Sequence, residues 1–324
     1  MMNKPSQKSS GKFIGEAALL LMTILWGGTF VLVKESLNDI STLLFVGLRF
    51  GIAAVVLLVV LYLKKIKIDK KIILPGALLG GWLFLGFLTQ TAGLKFTSAS
   101  KSGFLTGSLV VMIPLFQTII EKKIPTRGAL IGTALVFLGI VFLSSGGNSI
   151  SDFFNNLGNN FNIGDWLTLM CAAFFALHIV FMDIISPKYE FWNLLFFQLV
   201  TVAVLNLFFS LVFSYSSIEP LRFSLSKNLL IGILYTALLA TLVNFALQTK
   251  FQKVVSPTKA GIIYSFEPVF AAVFAFFILN EKITNFSLVG CAMIFLGLIV
   301  SEVFDSFFSQ KDEYLEVQTK NEES

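Results

Sequence analysis

The chain has 324 residues, of which 56% are hydrophobic and 13% are charged, and it carries a formal net charge of +5. About a quarter of the residues in a soluble domain are charged, so this composition excludes an ordinary soluble domain and indicates an integral membrane protein. The basic residues lie in short segments between apolar runs, where they report orientation in a membrane rather than nucleic-acid binding.

Ten apolar runs follow one another along the sequence, each about as long as the ~20 residues that a membrane-crossing helix needs. The runs lack the alternation of a strand, so we interpret them as helices, whose backbone polar groups are satisfied internally in lipid. They cover residues 14–34, 41–63, 72–94, 100–121, 127–145, 164–186, 192–214, 228–250, 259–280 and 286–304.

The connections divide these runs into two groups of five. A long segment rich in Gly and Asn, residues 146–163, lies near the middle of the chain and is interpreted as a linker. It separates a first five-helix unit, residues 14–145, from a second, residues 164–304. Residues 1–13 form a short N-terminal tail, and residues 305–324 are polar and charged, which predicts a disordered tail.

The distribution of Lys and Arg predicts the orientation. With the N-terminus in the cytoplasm and ten spans, the cytoplasmic segments hold 17 of these residues and the opposite segments hold six. Cytoplasmic segments carry the excess of positive charge in membrane proteins. The sequence therefore predicts a multi-pass protein of the inner, cytoplasmic membrane with both termini on the cytoplasmic side.

The two halves contain an internal repeat at a constant spacing of 158 residues. Residues 86–103 align to 244–261 with seven identities in 18 positions, and residues 132–139 align to 290–297 with five in eight. Apolar helices match easily by composition, whereas matched polar residues are more informative. The matched polar pairs include Gln90 with Gln248, Lys95 with Lys253, Ser98 with Ser256, and Lys101 with Lys259.

An odd number of spans in each half has a topological consequence. The second half enters the membrane from the side opposite to the first, so the sequence predicts two inverted-topology repeats. This architecture is typical of secondary transporters that expose one central site to either side in turn. A rigid, non-transporting scaffold is the alternative, because duplication can also build one.

Five segments resemble the EamA-type permeases of the drug/metabolite transporter superfamily, which have ten helices. The segments are LWGGTFVLVK (25–34), LRFGIAA (48–54), SKSGFLTGSLVVMIPLF (100–116), SPTKAGIIYSFEPVFAAVFAFFILNEKIT (256–284) and LVGCAMIFLGLIV (288–300). The resemblance covers nearly the whole chain. It implies export or exchange of small metabolites across a cytoplasmic membrane, through a cavity between the halves, and it does not name the substrate.

Glu267 and Pro268 stand inside the ninth apolar run. Glu267 lies eight residues past Lys259, about 12 Å along a helix, where a carboxylate costs several kcal/mol unless it is paired or protonated. Pro268 removes a backbone hydrogen bond and predicts a helix break. We expect Glu267 to have one of two roles. It is either a proton-coupling acid or a ligand for a substrate amine, or it is a structural acid that joins two helices.

The first half differs from the second in its polar residues. Its proline, Pro114, is also predicted to break a helix, but it lies 11 residues after Gly103, whereas Pro268 lies seven after Gly261. No acid in the first half corresponds to Glu267. The site is therefore expected to be asymmetric.

Arg49 is the one cation predicted deep inside a span. It could contact substrate, pair with Glu267 at a similar depth, or extend to the interface as an anchor. Lys101 and Lys259 begin the fourth and ninth runs, on opposite sides of the membrane if the halves are inverted. They are candidates for gate charges or for interface anchors.

Several further polar and aromatic residues are candidate cavity liners. Neutral hydrogen-bonding groups beside aromatic rings suit zwitterionic or aromatic metabolites, although each such residue could equally join helices to one another. His178, the only histidine, could relay protons or bond to a neighbouring helix. The candidate liners are Trp26, Gln90, His178, Tyr235, Asn244, Gln248 and Tyr264.

The sequence lacks the motifs of several other function classes. It has no glycine-rich phosphate loop, no metal-ligand cluster and no nucleophile with a base, so we expect no ATP-driven motor, no cofactor and no enzyme. The predicted partners are a small-molecule substrate and the lipid bilayer, with a monomer as the expected state. The function predicted is a secondary permease for small organic metabolites, with amino acids or related amphipathic compounds as candidates. The alternative is a membrane scaffold or sensor that signals through its C-terminal tail.

Overall fold

A computed structural model gives the fold. It describes residues 6–97, 99–144, 151, 161–279, 285–286, 288–301 and 303–304. The predicted tail at 305–324, most of the predicted linker and the side chain of Lys101 lie outside the described residues.

Ten membrane-crossing units, numbered here as spans 1 to 10 in chain order, confirm the predicted all-helical fold. Seven are long, apolar helical segments, some of them interrupted: Phe13–Ser36, Thr42–Leu63, Lys70–Gly93, Ser102–Glu121, Ile163–Lys188, Phe191–Tyr215 and Lys227–Val254. Two shorter apolar helices, Arg127–Leu143 and Leu288–Ser301, are spans 5 and 10. Span 9 is a broken helix and lies between span 8 and span 10 in the order of the chain.

Four spans are interrupted within the described part of the chain. Spans 1, 4 and 9 are each split into two helices, and span 8 contains a π-helical turn of wider radius. The pieces are Ser6–Gly27 and Thr29–Ser36; Ala99–Gly107 and Leu109–Glu121; Pro257–Tyr264 and Glu267–Leu279; and Lys227–Leu234, the π-helix Tyr235–Val243 and Asn244–Phe251. The uninterrupted helices are Thr42–Leu63, Ile73–Gly93, Arg127–Ser144, Ile163–Ile185 and Phe191–Tyr215.

The two prolines differ in their relation to these breaks. Pro268 follows directly after the break of span 9, at the second position of a new helix, where a missing N–H costs little. Pro114 lies inside the helix Leu109–Glu121, and span 4 is interrupted at Ser108 instead. The expectation that Pro114 breaks the helix is therefore corrected. The helix continues past Pro114 because a proline removes a single backbone bond, here the one to the carbonyl of Val110 four residues earlier.

Side chains at the helix starts explain where three spans of the second half begin. Asn162 and Asp165 form a reciprocal capping box at the start of span 6. The Glu190 carboxylate accepts from the first backbone N–H groups of span 7, and the Ser226 hydroxyl accepts from the N–H of Leu229 in span 8. Such caps satisfy N–H groups that have no partner within the helix.

The loops fall on two opposite ends of the bundle. Face A contains the loops 37–41, 94–97 and 216–226, which are joined by the bridge between Ile40 and Phe223 and by the ion pair between Lys95 and Glu219. Face B contains the loops 64–72, 122–126, 186–190 and 252–256, where the Asn193 amide donates to the Lys67 carbonyl at 3.1 Å. Lys95 thus lies on face A and its repeat partner Lys253 on face B, as inverted halves require.

The packing between spans follows the same symmetry. Spans 1 to 5 correspond to spans 6 to 10 in the repeat. The contact between spans 3 and 6 corresponds to the contact between spans 8 and 1, and the contact between spans 3 and 7 corresponds to the contact between spans 8 and 2. Span 4 contacts span 6 as span 9 contacts span 1, while spans 2 and 7, and spans 4 and 9, pair directly. Each interface therefore recurs with the roles of the halves exchanged, which is the signature of a pseudo-two-fold axis in the membrane plane.

Spans 5 and 10 meet through glycines that are repeat partners. A Cβ atom on Gly132 would lie 2.6 Å from the Gly297 carbonyl oxygen, and one on Gly139 would lie 2.8 Å from that of Gly290. Both distances are too short for a side chain, so these positions permit a backbone approach that a larger residue would prevent.

Candidate functional site

A cavity lies between the two halves, at the depth of the helix interruptions. Seven spans line it, namely spans 1, 2, 3, 4, 6, 8 and 9. The empty volume, including the open space at its mouth, is about 740 Å³. Its polar and aromatic lining residues are Trp26, Thr29, Phe30, Arg49, Phe87, Gln90, Thr91, Thr106, Phe175, His178, Phe245, Gln248, Tyr264 and Glu267.

Most of the candidate residues identified from the sequence come together here. Those on the cavity wall are Trp26, Arg49, Gln90, His178, Gln248, Tyr264 and Glu267. Tyr235 and Asn244 do not line it. The Tyr235 hydroxyl donates to the Leu25 carbonyl at 2.8 Å and the Asn244 amide donates to the Met22 carbonyl at 3.1 Å, so both tie span 8 to the backbone of span 1.

Arg49 is buried in span 2 and directed toward span 8. Its Nε donates to the Thr241 hydroxyl at 2.6 Å and its Nη2 donates to the Ala240 carbonyl at 3.3 Å. The guanidinium also lies over two rings, 4.8 Å from the centroid of Phe87 and 5.5 Å from that of Phe50. Charge-assisted hydrogen bonds and cation–π contacts together offset the cost of a cation at this depth.

Glu267 is the first residue of the second helix of span 9. Its charge interacts with that of Arg49, but no ion pair within 4.0 Å joins the two in the described part of the chain. No hydrogen bond to its carboxylate is found from the described side chains. An acid at this position is accommodated by its location at a helix start and on a cavity wall.

Aromatic side chains form the apolar wall of the cavity. Trp26 contacts Phe245 and Tyr264 edge to face, with centroid distances of 6.1 and 5.7 Å. Phe87 contacts Phe175 in the same manner at 5.0 Å. These rings offer an apolar surface beside the charged groups.

His178 bonds to a glutamine of the neighbouring span 7. Its Nε2 lies 3.1 Å from the Gln198 Oε1, and the Gln198 amide nitrogen donates to the Leu194 carbonyl. Because that oxygen can only accept, the His178 Nε2 donates, and the neutral ring has its acceptor at Nδ1. This arrangement joins two helices and leaves the histidine at the cavity wall.

A polar layer closes the cavity toward face B. The Gln252 Oε1 accepts from the Tyr264 hydroxyl at 3.1 Å and from the Gln248 amide at 2.9 Å, and the Gln252 amide donates to the Ile179 carbonyl at 2.7 Å. Gln252 was not identified from the sequence. It sits at the end of span 8, where a glutamine in a short polar segment gives no signal of burial.

Closer to face B, an ion pair joins span 1 to span 9. Lys259 Nζ lies 2.7 Å from the Glu16 Oε1, and the Lys259 side chain is 5% exposed. Beside it the Thr258 hydroxyl donates to Gln117 at 2.6 Å. Of the two lysines predicted as gate or interface charges, Lys259 thus belongs to the closed end, while the backbone of Lys101 lies in the first turn of a helix that starts at face A.

The opposite end of the cavity reaches toward face A, where Val33 and Leu94 belong to its lining. Here Glu219 accepts from the backbone N–H and the hydroxyl of Thr42, both at 2.9 Å, and pairs with Lys95. The carboxylate thereby caps the N-terminus of span 2 from the loop between spans 7 and 8. Burial alone would raise the pKa of Glu219, but the hydrogen bonds from Lys95 and Thr42 outweigh it and lower the pKa below its ordinary value.

Comparison with known proteins identifies the family. The sequence pattern of the EamA-like transporter family matches this chain twice, over residues 13–145 and over residues 162–302. The chain belongs to the EamA-like transporter family. It is accordingly a multi-pass membrane permease for a small-molecule substrate, and the family is one of transporters rather than enzymes.

Relatives of this EamA-like chain extend over nearly its full length. An uncharacterized transporter of Archaeoglobus fulgidus is 30% identical over 289 residues, which are 89% of this chain and 86% of the relative. The uncharacterized transporter YoaV of Bacillus subtilis is 27% identical over 87% of this chain and 94% of its own. A solved crystal structure with 17% identity aligns with a TM-score of 0.70 over 91% of this chain and 97% of that one, a likeness of fold alone.

The lowered pKa of Glu219 predicts an acid-sensitive contact in this EamA-like protein. A folded-state pKa below the ordinary value of 4.5 stabilises the fold at higher pH, and that contribution is lost as the pH falls through the lowered value. We expect Glu219→Gln to lower the thermal unfolding temperature of the detergent-solubilised protein at pH 7. We also expect the variant to lose less stability than the wild type between pH 5 and pH 3. Glu35→Gln, an exposed acid near the same face, is the control, and equal acid sensitivity of the wild type and Glu219→Gln would contradict the assignment.

Proposed function

We propose that the protein is a secondary transporter for small amphipathic zwitterions, such as amino acids. One observation carries the proposal. Arg49 and Glu267, of opposite charge and from different spans, line one cavity at mid-depth without an ion pair of 4.0 Å or less between them. Two facing charges that do not neutralise each other directly leave space for a ligand that carries both a carboxylate and an ammonium group.

The energetics favour a ligand of this kind. A charged side chain within the hydrocarbon region costs several kcal/mol unless it is paired or reaches a water-filled cavity. A zwitterion bound with its carboxylate at Arg49 and its ammonium at Glu267 would satisfy both charges at once. The rings of Trp26, Phe87 and Phe245 would then contact an apolar substituent between them.

Alternating access is the mechanism that we propose for the movement of this substrate. The Gln252 layer and the pair of Glu16 with Lys259 close the end at face B, whereas the lining reaches Val33 and Leu94 toward face A. Inverted repeats can exchange these roles by rocking of the two halves. With face B on the cytoplasmic side of the cytoplasmic membrane, as the positive charges favour, the closed end of the cavity faces the cytoplasm.

The main test uses three probes with one aromatic skeleton in counterflow assays on reconstituted vesicles. L-phenylalanine carries both charges, 2-phenylethylamine lacks the carboxylate, and 3-phenylpropionate lacks the amine. We expect the wild type to prefer L-phenylalanine over each single-charge probe by at least about tenfold, since a lost charge-assisted hydrogen bond costs about 1.5–3 kcal/mol. Arg49→Gln should remove the preference over the amine, and Glu267→Gln should remove the preference over the acid.

Two matched variants separate this effect from general damage. Arg222→Gln removes a guanidinium that bonds to the Leu37 carbonyl outside the cavity, and Glu35→Gln removes an exposed acid. Both should leave the order of preference unchanged. A wild type that carries neither L-phenylalanine nor any amino acid in a wider screen with nucleosides, sugars and aromatic cations would refute the zwitterion proposal.

Proton coupling through Glu267 is a second expectation for the same site. An intramembrane carboxylate binds a proton when no cation is near, so its protonation can alternate with substrate binding. An imposed pH gradient should drive uptake of L-phenylalanine by the wild type, while Glu267→Gln should respond to the gradient no more than protein-free vesicles do. Wild-type uptake that is insensitive to the gradient would eliminate proton coupling and leave the zwitterion site untouched.

A further inference from the structure

The π-helical turn of span 8 changes which backbone carbonyl is left for side chains. In an α-helix the N–H of Asn244 would bond to the carbonyl of Ala240, four residues earlier. Here it bonds to the carbonyls of Leu239 and Thr241 instead. The Ala240 carbonyl therefore does not receive this N–H, and it is directed at the neighbouring spans. Turns of this kind occur frequently at functional sites.

Two side chains from other spans use the carbonyl that the turn presents. The Trp26 Nε1 of span 1 donates to the Ala240 oxygen at 2.9 Å, and the Arg49 Nη2 of span 2 donates to it at 3.3 Å. The adjacent Thr241 hydroxyl, fully buried, accepts from the Arg49 Nε at 2.6 Å. Three spans are thus joined at one point on the cavity wall.

These contacts fix the direction of the guanidinium. The Nε and Nη2 groups lie on one edge of the planar fork, and that edge faces span 8. The rings of Phe87 and Phe50, whose centroids are 5.0 Å apart, lie together beside the guanidinium. The end of the fork, where one N–H of Nη1 lies beside the second N–H of Nη2, is the part of Arg49 that remains for a ligand in the cavity, and these paired donors match the two oxygens of a carboxylate.

We propose that Thr241 is a positioning residue for carboxylate recognition, and that it acts by holding the Arg49 guanidinium edge-on to span 8. The inference rests on the proposed role of Arg49 and extends it to a residue that does not line the cavity. Without the Thr241 hydroxyl the Nε edge loses its acceptor, and the fork turns away from the orientation in which it meets a carboxylate end-on.

The test measures KM and kcat for L-phenylalanine and for 2-phenylethylamine in reconstituted vesicles. Thr241→Val removes the acceptor and preserves the branched shape. We expect it to raise KM for L-phenylalanine by about tenfold, with kcat within about twofold of the wild type and both constants for the amine unchanged. Thr241→Ser restores a hydroxyl and should restore the wild-type KM. If Thr241→Val does not fold, Thr241→Ala removes the same acceptor without placing a methyl group against Arg49.

Thr236→Val is the matched control. Thr236 lies in the same π-helical segment and is equally buried, but its hydroxyl donates to the Gly232 carbonyl of its own helix. A similar KM effect from Thr236→Val, an equal effect of Thr241→Val on both probes, or no rescue by Thr241→Ser would overturn the assignment of Thr241.

The same experiment distinguishes this inference from the function on which it rests. If Arg49→Gln removes the preference for L-phenylalanine and Thr241→Val leaves it intact, the positioning role of Thr241 alone is wrong. If Arg49→Gln also leaves the preference intact, Arg49 does not bind the carboxylate, and the proposed recognition fails together with the inference.

Discussion

The absence of water in a bilayer constrains every feature of this protein. A backbone N–H or C=O group in lipid costs several kcal/mol when it has no partner, so a helix can be interrupted at membrane depth only where protein or a cavity meets the interruption. The interruptions in spans 1, 4, 8 and 9 fulfil this condition. Tyr235 and Asn244 bond to carbonyls of span 1 close to its break, and Trp26 and Arg49 bond to the carbonyl that the π-helix presents. The polar cavity and the broken helices are therefore two aspects of one requirement.

The duplicated halves supply the scaffold, and their differences supply the chemistry. Spans 4 and 9 break at Ser108 and Phe266, positions that are repeat partners, although their prolines are not in register. The residue in the first half that corresponds to Glu267 is Leu109, and both line the cavity. One wall thus carries an acid where its symmetry partner carries an apolar side chain. A pseudo-symmetric bundle in this way encloses an asymmetric site, which suits a substrate whose two ends differ in charge.

Much of the fold could be predicted because hydrophobic length and repeated polar pairs are properties of the sequence itself. The ten apolar runs coincide with the ten spans, and the Lys95 and Lys253 pair indicates the inversion. Intramembrane charges also stand out in a sequence, so Arg49 and Glu267 were found as candidates. The π-helix could not be predicted, since residues 235–243 contain neither Gly nor Pro. Thr241 was missed for a related reason, because its role depends on Arg49, 192 residues away in sequence. Gln252 was missed because a glutamine in a short polar segment gives no signal of burial.

The central claim is that two inverted halves enclose the cavity and place repeat-related positions on opposite sides of the membrane. Phe96 and Val254 are such a pair, and both are exposed. Single cysteines at these positions, in a background in which Cys171 and Cys291 are replaced by alanine, can be labelled on intact cells with a membrane-impermeant maleimide. The account predicts that Phe96→Cys reacts from outside and that Val254→Cys reacts only after the membrane is opened. Labelling of both cysteines from the same side would contradict it.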